Sequence, residues 1–445
     1  MTHTIRRRQL FQSVAAVPLT LVAACATPAT PAQPAQPTQP SQTAAAVRQA
    51  SVTDLTWWTT GAGIIDSLAK EYGDAHAMTV TTQNQGGYDD MVAKVQAGIM
   101  ANSLPHLATL GQRHGIAQIA DSGRLIPLAD LAAADPAFAL NDFLPAFLKR
   151  YTYKNVIRVL PFIPSSPILH YNRTAFQTAG LNPDTPPTTL DEVVAVATRL
   201  TQRSGQTFTQ VGLNTAGDYP WYAYALVWEN GGALFDASGA TPSFNQPPGV
   251  AALRWWKDAV HTQTFMPPNQ HNTAEQDFTA GKVGMLFASS SATGGYEQQI
   301  GTRFDYGVAR FPSIGTTRSV PVGGAGLGVF SSDDAHQAAA WDLAKWLTSP
   351  EVNARIVRET GYVAVRQATL DLPDLKAFLA SNPRRALGIQ QVREDIHPES
   401  ANPADSSVWL GMAKVQDSLE ADAHADPKTL LNALADDTSK YLKNY

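Results

Sequence analysis

Few residues of this 445-residue chain have the type and spacing for covalent chemistry. There is one cysteine, Cys25, so the chain can close no disulfide within itself and build no paired-thiolate metal site. No Gly-x-Ser-x-Gly elbow, His-Glu-x-x-His pair or phosphate loop occurs along it. The adjacent acids Asp89-Asp90 are the nearest approach to a carboxylate pair. Neighbouring side chains on a helix diverge, so two acids at that spacing cannot flank one bond. They read instead as a solvated helix start favoured by the helix dipole. His114, His261 and His271 are dispersed and form no cluster. The chemistry left is that of contact, carried by nine tryptophans, 13 tyrosines and the serine groups at 165–166 and 289–291. A binding role is therefore expected over catalysis, the alternative being an exported carbohydrate-active enzyme. No cofactor is implied.

Cys25 has its own setting. Upstream lie His3, the basic run Arg6-Arg7-Arg8 and an apolar stretch from Leu10 to Ala24. A basic start, a short apolar centre and small residues at its end make residues 1–24 an export signal. The stretch falls short of the roughly 20 apolar residues a membrane span needs. Val22-Ala23-Ala24-Cys25 resembles a bacterial lipobox, which implies lipidation at Cys25 and a cell-envelope location. Arg7-Arg8-Gln9-Leu10-Phe11 is also similar to a twin-arginine signal. From Cys25 to residue 52 the chain is rich in Pro, Thr and Gln and has almost no apolar bulk. Such a segment cannot offset its ordering entropy by burial, and it reads as a stalk between anchor and body. Losing residues 1–24 removes three arginines and no acid, leaving 30 basic against 38 acidic residues. That modest acidity offers no footprint for nucleic acid.

The body, of about 395 residues, is large enough for two domains. Only 16% of the chain is charged, as in a globular protein with a large core. Leu55–Trp58, Met78–Thr82 and Pro105–Leu110 read as short strands. Between them, Ile64, Ile65, Leu68, Ala69 and Tyr72, then Met91, Val92, Val95 and Ile99, recur at helical spacing. Ile116–Ala120 begins another helix. Strand–helix–strand–helix–strand predicts right-handed parallel α/β winding. Asp191–Leu200, Gly249–Val260, Ala335–Leu347 and Pro427–Leu442 are further amphipathic helices, several with Pro, Thr or Asp at the start.

Five blocks, in order, resemble one family. They are Pro161 to Asn172 running on to Thr189, Phe278 to Ser291, Gly323-Gly324, Thr360-Gly361-Tyr362, and Pro427 with Leu430, Ala433 and Leu442. Together they are similar to the bacterial extracellular solute-binding proteins of carbohydrate-type ABC importers. Within that family the likeness is greatest to glycerol-3-phosphate- and glycerophosphodiester-binding members, through Gly86-Gly87-Tyr88, Phe162 to Asn172, Gly323-Gly324-Ala325 and Thr360-Gly361-Tyr362. The resemblance implies an α/β, two-lobed periplasmic-binding-protein fold of type II with hinge crossovers. Lobe one would hold 53–162 and 325–362, and lobe two 163–324 and 363–445. The implied partners are a small-molecule solute and ABC transporter permease subunits, with membrane contact through the lipid anchor and the protein itself a monomer.

The resemblance also implies a site. Tyr88 would contact the ligand from a helix start, and Gln112 would stand where relatives carry a glutamate that takes a hydroxyl. Ser165, Ser166, Ser289 and Ser290 would offer hydroxyls and free amides to phosphate or sugar oxygens. Trp221 would stack on the ligand, Gly323 and Gly324 would let backbone approach it, and Tyr362 would cover it. One position departs. Relatives place a phosphate-pairing arginine ahead of a Leu-Gly step, where this chain reads Val408-Trp409-Leu410-Gly411. Tryptophan cannot supply a charged bidentate fork and suits a neutral saccharide or a choline-like cation. Arg384, Arg385 and Arg393 are the candidates to compensate.

Overall fold

The computed structural model describes residues 52–445 except Ala62, Gln112, Thr316, Thr317 and Pro398. The leader, Cys25, the stalk as far as Ser51, and Gln112 lie outside the described residues.

Two five-stranded sheets organise the body. The first runs in the order Thr79–Asn84, Asp54–Thr59, Leu107–Gly111, Gly323–Val329, Leu160–Ser165. Its first three strands are parallel, as the alternating pattern predicts, and helices Gly63–His76 and Tyr88–Ala101 connect them. The fourth strand arrives from far along the chain and pairs antiparallel on both sides. Nothing local in its glycine-rich sequence announces that pairing. The second sheet has the order Tyr306–Arg310, Pro167–Asn172, Val283–Ser289, Thr207–Thr215, Gln202–Ser204.

The chain passes between the sheets at three places. Strand Leu160–Ser165 closes the first sheet and Pro167–Asn172 opens the second, with Ser166 alone between them. The return runs from Tyr306–Arg310 to Gly323–Val329. At its end Gly324 has φ +84, and a Cβ there would fall 1.8 Å from the Ile163 carbonyl oxygen, so only glycine lets the two crossing strands touch. The third passage follows Tyr362. Val363, Ala364, Val365, Leu370 and Leu375 all pack in the core around the first sheet, beyond the expected limit at 362. Helix Asp405–Ala421 then packs on Tyr219–Glu229 and Pro247–His261 around the second sheet. The turning point therefore lies near helix Pro383–Asp395. It gives Ile389 and Val392 to the first core and lies against strand Tyr306–Arg310 of the second sheet.

The predicted helices form within a residue or two: Leu190–Leu200, Pro247–His261, Asp334–Leu347 and Pro427–Asn444. Their starts are chemically fixed. Thr189 and Glu192 make a reciprocal capping box, and Asp333 and Asp426 accept the amides of His336 and Thr429. Among the described residues no helix is long and apolar enough to cross a membrane.

Candidate functional site

Strand Leu107–Gly111 ends beneath the start of helix Tyr88–Ala101, and Gly111 makes that approach possible. A Cβ at Gly111 would lie 2.6 Å from the Tyr88 ring and 2.7 Å from His114 Nδ1. The rings of Tyr88 and His114 are 5.2 Å apart, and His114 meets Trp409 edge-on at 5.2 Å. Trp409 also meets Tyr224 edge-on at 5.8 Å. Under this row lies Arg113, 2% exposed, its guanidinium 4.9 Å from the Tyr224 ring centre and 5.1 Å from that of Trp228. Arg113 is paired with Glu399. Burial, then the charge of Arg150, draws its pKa down to about 9. Burial, then Arg113 and Arg150, lowers His114 to about 3, so the imidazole is neutral at physiological pH.

The crossover serines divide by position: Ser165 and Ser289 are the last residues of their strands, and Ser166 and Ser290 lie just beyond the strand ends. Ser165 and Ser289 face a common cavity, whereas Ser166 and Ser290 turn into the protein. Gln391 Nε2 donates to Ser166 Oγ at 2.8 Å, and the Ser166 amide donates to Ser290 Oγ at 3.3 Å. The Ser290 amide in turn donates to the Ser166 carbonyl. These two residues brace the crossover and do not line the cavity. Ser289 Oγ accepts the Ser291 amide and lies 2.8 Å from Ser291 Oγ, which brings Ser291 to the cavity wall as well.

Helix Tyr219–Glu229 supplies the opposite wall. Ten of its eleven residues are buried, so Trp221 projects from a rigid support. Trp221 Nε1 donates to the Val322 carbonyl at 3.3 Å. A Cβ on Gly323 would fall 2.3 Å from the Trp221 ring and 2.6 Å from Ser165 Oγ, so glycine there sets how near ring, hydroxyl and backbone can lie. Asp218 caps the helix through its backbone only, and its carboxylate has no hydrogen-bond or ion-pair partner among the described residues. Desolvation, then the charges of Glu275 and Asp89, lifts Asp218 to about 6. Burial likewise raises the pKa of Tyr362, with the Ser291 hydroxyl acting the other way.

One cavity of about 160 Å³ gathers these groups: Tyr88, Ser165, Trp221, Ser289, Gly323, Gly324, Tyr362 and Trp409 from the sequence reading, joined by Arg113, His114, Asp218 and Ser291. Arg384 and Arg385 are elsewhere, both engaged by Glu297, and Arg393 is exposed on its helix. The guanidinium in the cavity wall is that of Arg113. A signal for it existed, since in sequence Arg113 and His114 directly follow the expected site residue Gln112, close behind strand Leu107–Gly111. His114 is accordingly a cleft residue and not a dispersed one. His271 lies in a buried network with Thr215, Trp256 and Glu420, and His261 meets the Leu419 carbonyl. No group of His, Cys, Asp and Glu among the described residues could hold a metal ion.

Comparison with known proteins gives a consistent picture. Residues 67–384 match the family described as bacterial extracellular solute-binding protein. The sn-glycerol-3-phosphate-binding periplasmic protein of Rhizobium meliloti is 26% identical over 369 residues, covering 78% of this chain and 83% of its own. Its namesake from Brucella abortus is 27% identical over 359 residues, covering 76% and 81%. Among solved structures, the UgpB protein of Mycobacterium tuberculosis in complex with glycerophosphocholine superposes with a TM-score of 0.77 at 22% identity, covering 88% of this chain and 98% of that one. A solute-binding protein of Thermotoga lettingae bound with α-D-tagatose gives 0.75 at 21%, covering 88% and 100%. These structural likenesses establish the two-lobed α/β fold.

Proposed function

This chain belongs to the bacterial extracellular solute-binding proteins, and from that premise we propose that it is the substrate-binding component of an ABC importer. It captures a sugar-class solute in the cleft between its sheets and delivers it to permease subunits. The solute is glycerol 3-phosphate, a glycerophosphodiester or an oligosaccharide, the classes that the names of its relatives span. One observation carries this reading. A single cavity draws residues from the first sheet's side (Tyr88, His114, Tyr362), from the crossovers (Ser165, Gly323, Gly324) and from the second sheet's side (Trp221, Ser289, Trp409). Aromatic rings suit the apolar faces of a polyol or sugar, and serine hydroxyls with glycine backbone suit its oxygens.

Cys25 carries the lipid, the stalk to residue 52 spaces the body from the membrane, and the body works as an exported monomer. Binding without turnover is its whole activity. Asp89 turns its carboxylate toward His114 Nε2, 3.7 Å away. Incubation with di- and oligosaccharides should leave them intact, and hydrolysis products would show an enzyme instead.

Calorimetry against glycerol 3-phosphate, glycerophosphocholine and maltose tests the assignment. At least one should bind, and a solute present at a hundred times its dissociation constant should stabilise the protein by about 2.7 kcal/mol. Scattering profiles with that solute should show a smaller radius of gyration, since the glycine- and proline-bearing crossovers permit the lobes to close. Failure of all three to bind would remove the proposed solute class.

A further inference from the structure

The cleft's charge bears on which of these solutes the site prefers. Asp218 lines the cavity immediately before the wall helix, with its carboxylate free of any hydrogen-bond or ion-pair partner among the described residues. The ionisable side chains gathered with it do not cancel its charge. Arg113 is already paired with Glu399, and His114 is held neutral by burial. Around Asp218 stand the rings of Tyr88, Trp221 and Tyr362, with Trp409 completing the aromatic lining. Asp89 and Glu275 are near enough to add to the negative potential, and Glu275 is held by the Tyr296 hydroxyl at 2.6 Å.

Two consequences follow from elementary electrostatics. A dianion entering this cavity meets an uncompensated carboxylate that is exposed while the cavity is empty, and the repulsion grows as the ligand displaces the screening water. A ligand cation, in contrast, gains both the carboxylate and the ring faces, the combination that favours quaternary and primary ammonium groups. From this juxtaposition the geometry points to Asp218 as the residue that selects the charge of the solute: it takes the ammonium group of a zwitterionic glycerophosphodiester and turns away a bare phosphate monoester. The ester's single negative charge is left to Ser165, Ser289 and the backbone at Gly323–Gly324, hydroxyls and amides that can share one charge more readily than two.

The inference rests on the proposed solute class, and opposite signs in one variant separate the two. Asp218→Asn keeps the shape and removes the charge. Because the side chain caps nothing and touches no partner among the described residues, and its charge is disfavoured in the fold, the variant should melt no lower than the wild type. Glycerophosphocholine, glycerol 3-phosphate and maltose are titrated into both proteins by calorimetry. The wild type should bind glycerophosphocholine at least about tenfold more tightly than glycerol 3-phosphate. The variant should shrink that ratio by about tenfold, through weaker binding of the former and equal or stronger binding of the latter, while maltose changes by less than about threefold. A ratio untouched by the substitution overturns the role of Asp218 and leaves the binding function standing. So does binding of maltose alone. No binding by any of the three overturns the assignment of Asp218 together with the solute class beneath it.

Discussion

The two walls of the cleft are built differently. On the second sheet's side Trp221 rises from a helix buried on nearly every face, and behind that helix lies a closed polar network. Glu420 there accepts from Trp256 Nε1 at 2.7 Å and lies 2.8 Å from His271 Nε2, while His271 Nδ1 meets Thr215 Oγ1 at 2.8 Å. On the first sheet's side the wall is made of chain ends. Tyr88 is the first residue of its helix, preceded by Gly86 and Gly87, and His114 sits in the turn after a strand. Those rings are held by each other and by Trp409. One wall is part of a core, while on the other Tyr88 and Tyr362 are only partly buried against the edge of the first core and ring contacts supply the rest. Damage to the second wall should therefore show in stability, and damage to the first mainly in binding.

The largest expected effect is behind the second wall. Glu420→Ala leaves the Trp256 and His271 donors and the Asn269 amide without their acceptor in a buried site. It should lower unfolding free energy by about 3 kcal/mol, read by urea denaturation. A loss under about 1 kcal/mol would show the network to be ornamental and would erase the contrast between the walls. Next come two buried histidines. Burial lowers both His114 and His170 to about 3. The unfolded chain takes up a proton near pH 6.5 and the folded one does not, so each histidine costs stability as pH falls below 6.5. At pH 5 the cost is about 2 kcal/mol apiece. Relative to His114→Gln or His170→Gln, the wild type should therefore lose about that much more stability between pH 7 and pH 5. A His114 that titrates above pH 5 by NMR would mean that water reaches behind the first wall.

Much of this was legible in the chain, for reasons that differ by element. The strands and helices from Leu55 to Ala120 show because their apolar residues repeat at strand and helix periods, which are local properties. Strand Gly323–Val329 does not show its place in the first sheet, because its partners Leu107–Gly111 and Leu160–Ser165 are more than 150 residues away. Eight of the expected site residues line one cavity, whereas Ser166 and Ser290, taken from the same motif blocks as Ser165 and Ser289, do not. The next residue in sequence can leave the strand at its end and turn its side chain into the protein, as both of these do. Arg113, His114 and Asp218 escaped because their roles come from burial and unpaired charge, neither of which a linear pattern displays.

A smaller effect compares the walls directly through their rings. Trp221→Ala should weaken solute binding at least about tenfold, because the ring loses its whole contact. Tyr88→Ala should cost about fivefold, since its place at a helix start lets neighbours adjust. The two should part in the ligand-free protein. Removing Trp221 also takes away the Nε1 bond to Val322 and opens space against Gly323, so its melting temperature should fall. Removing Tyr88 should leave melting within about a degree. Equal melting losses would show that the first wall is as much a core as the second.

The smallest effect is the sharpest, because it sets two adjacent residues of one type against each other. Ser165 presents its hydroxyl to the cavity, so Ser165→Ala deletes one neutral hydrogen bond to the solute and should cost about 0.5–1.5 kcal/mol of binding, roughly two- to tenfold. Among the described residues that hydroxyl has no hydrogen-bond partner, so stability should hold. Ser166→Ala removes the acceptor of Gln391 Nε2 inside the crossover, while that amide keeps its bond to the Pro167 carbonyl. The partial replacement limits the loss to about 0.5–1 kcal/mol of stability, and affinity should stay within about twofold. Calorimetry and thermal melts on the two variants give four numbers with a crossed pattern. If Ser166→Ala weakened binding as much as Ser165→Ala, the brace would be transmitting its strain into the cavity. The crossover would then count as part of the binding surface rather than as its support.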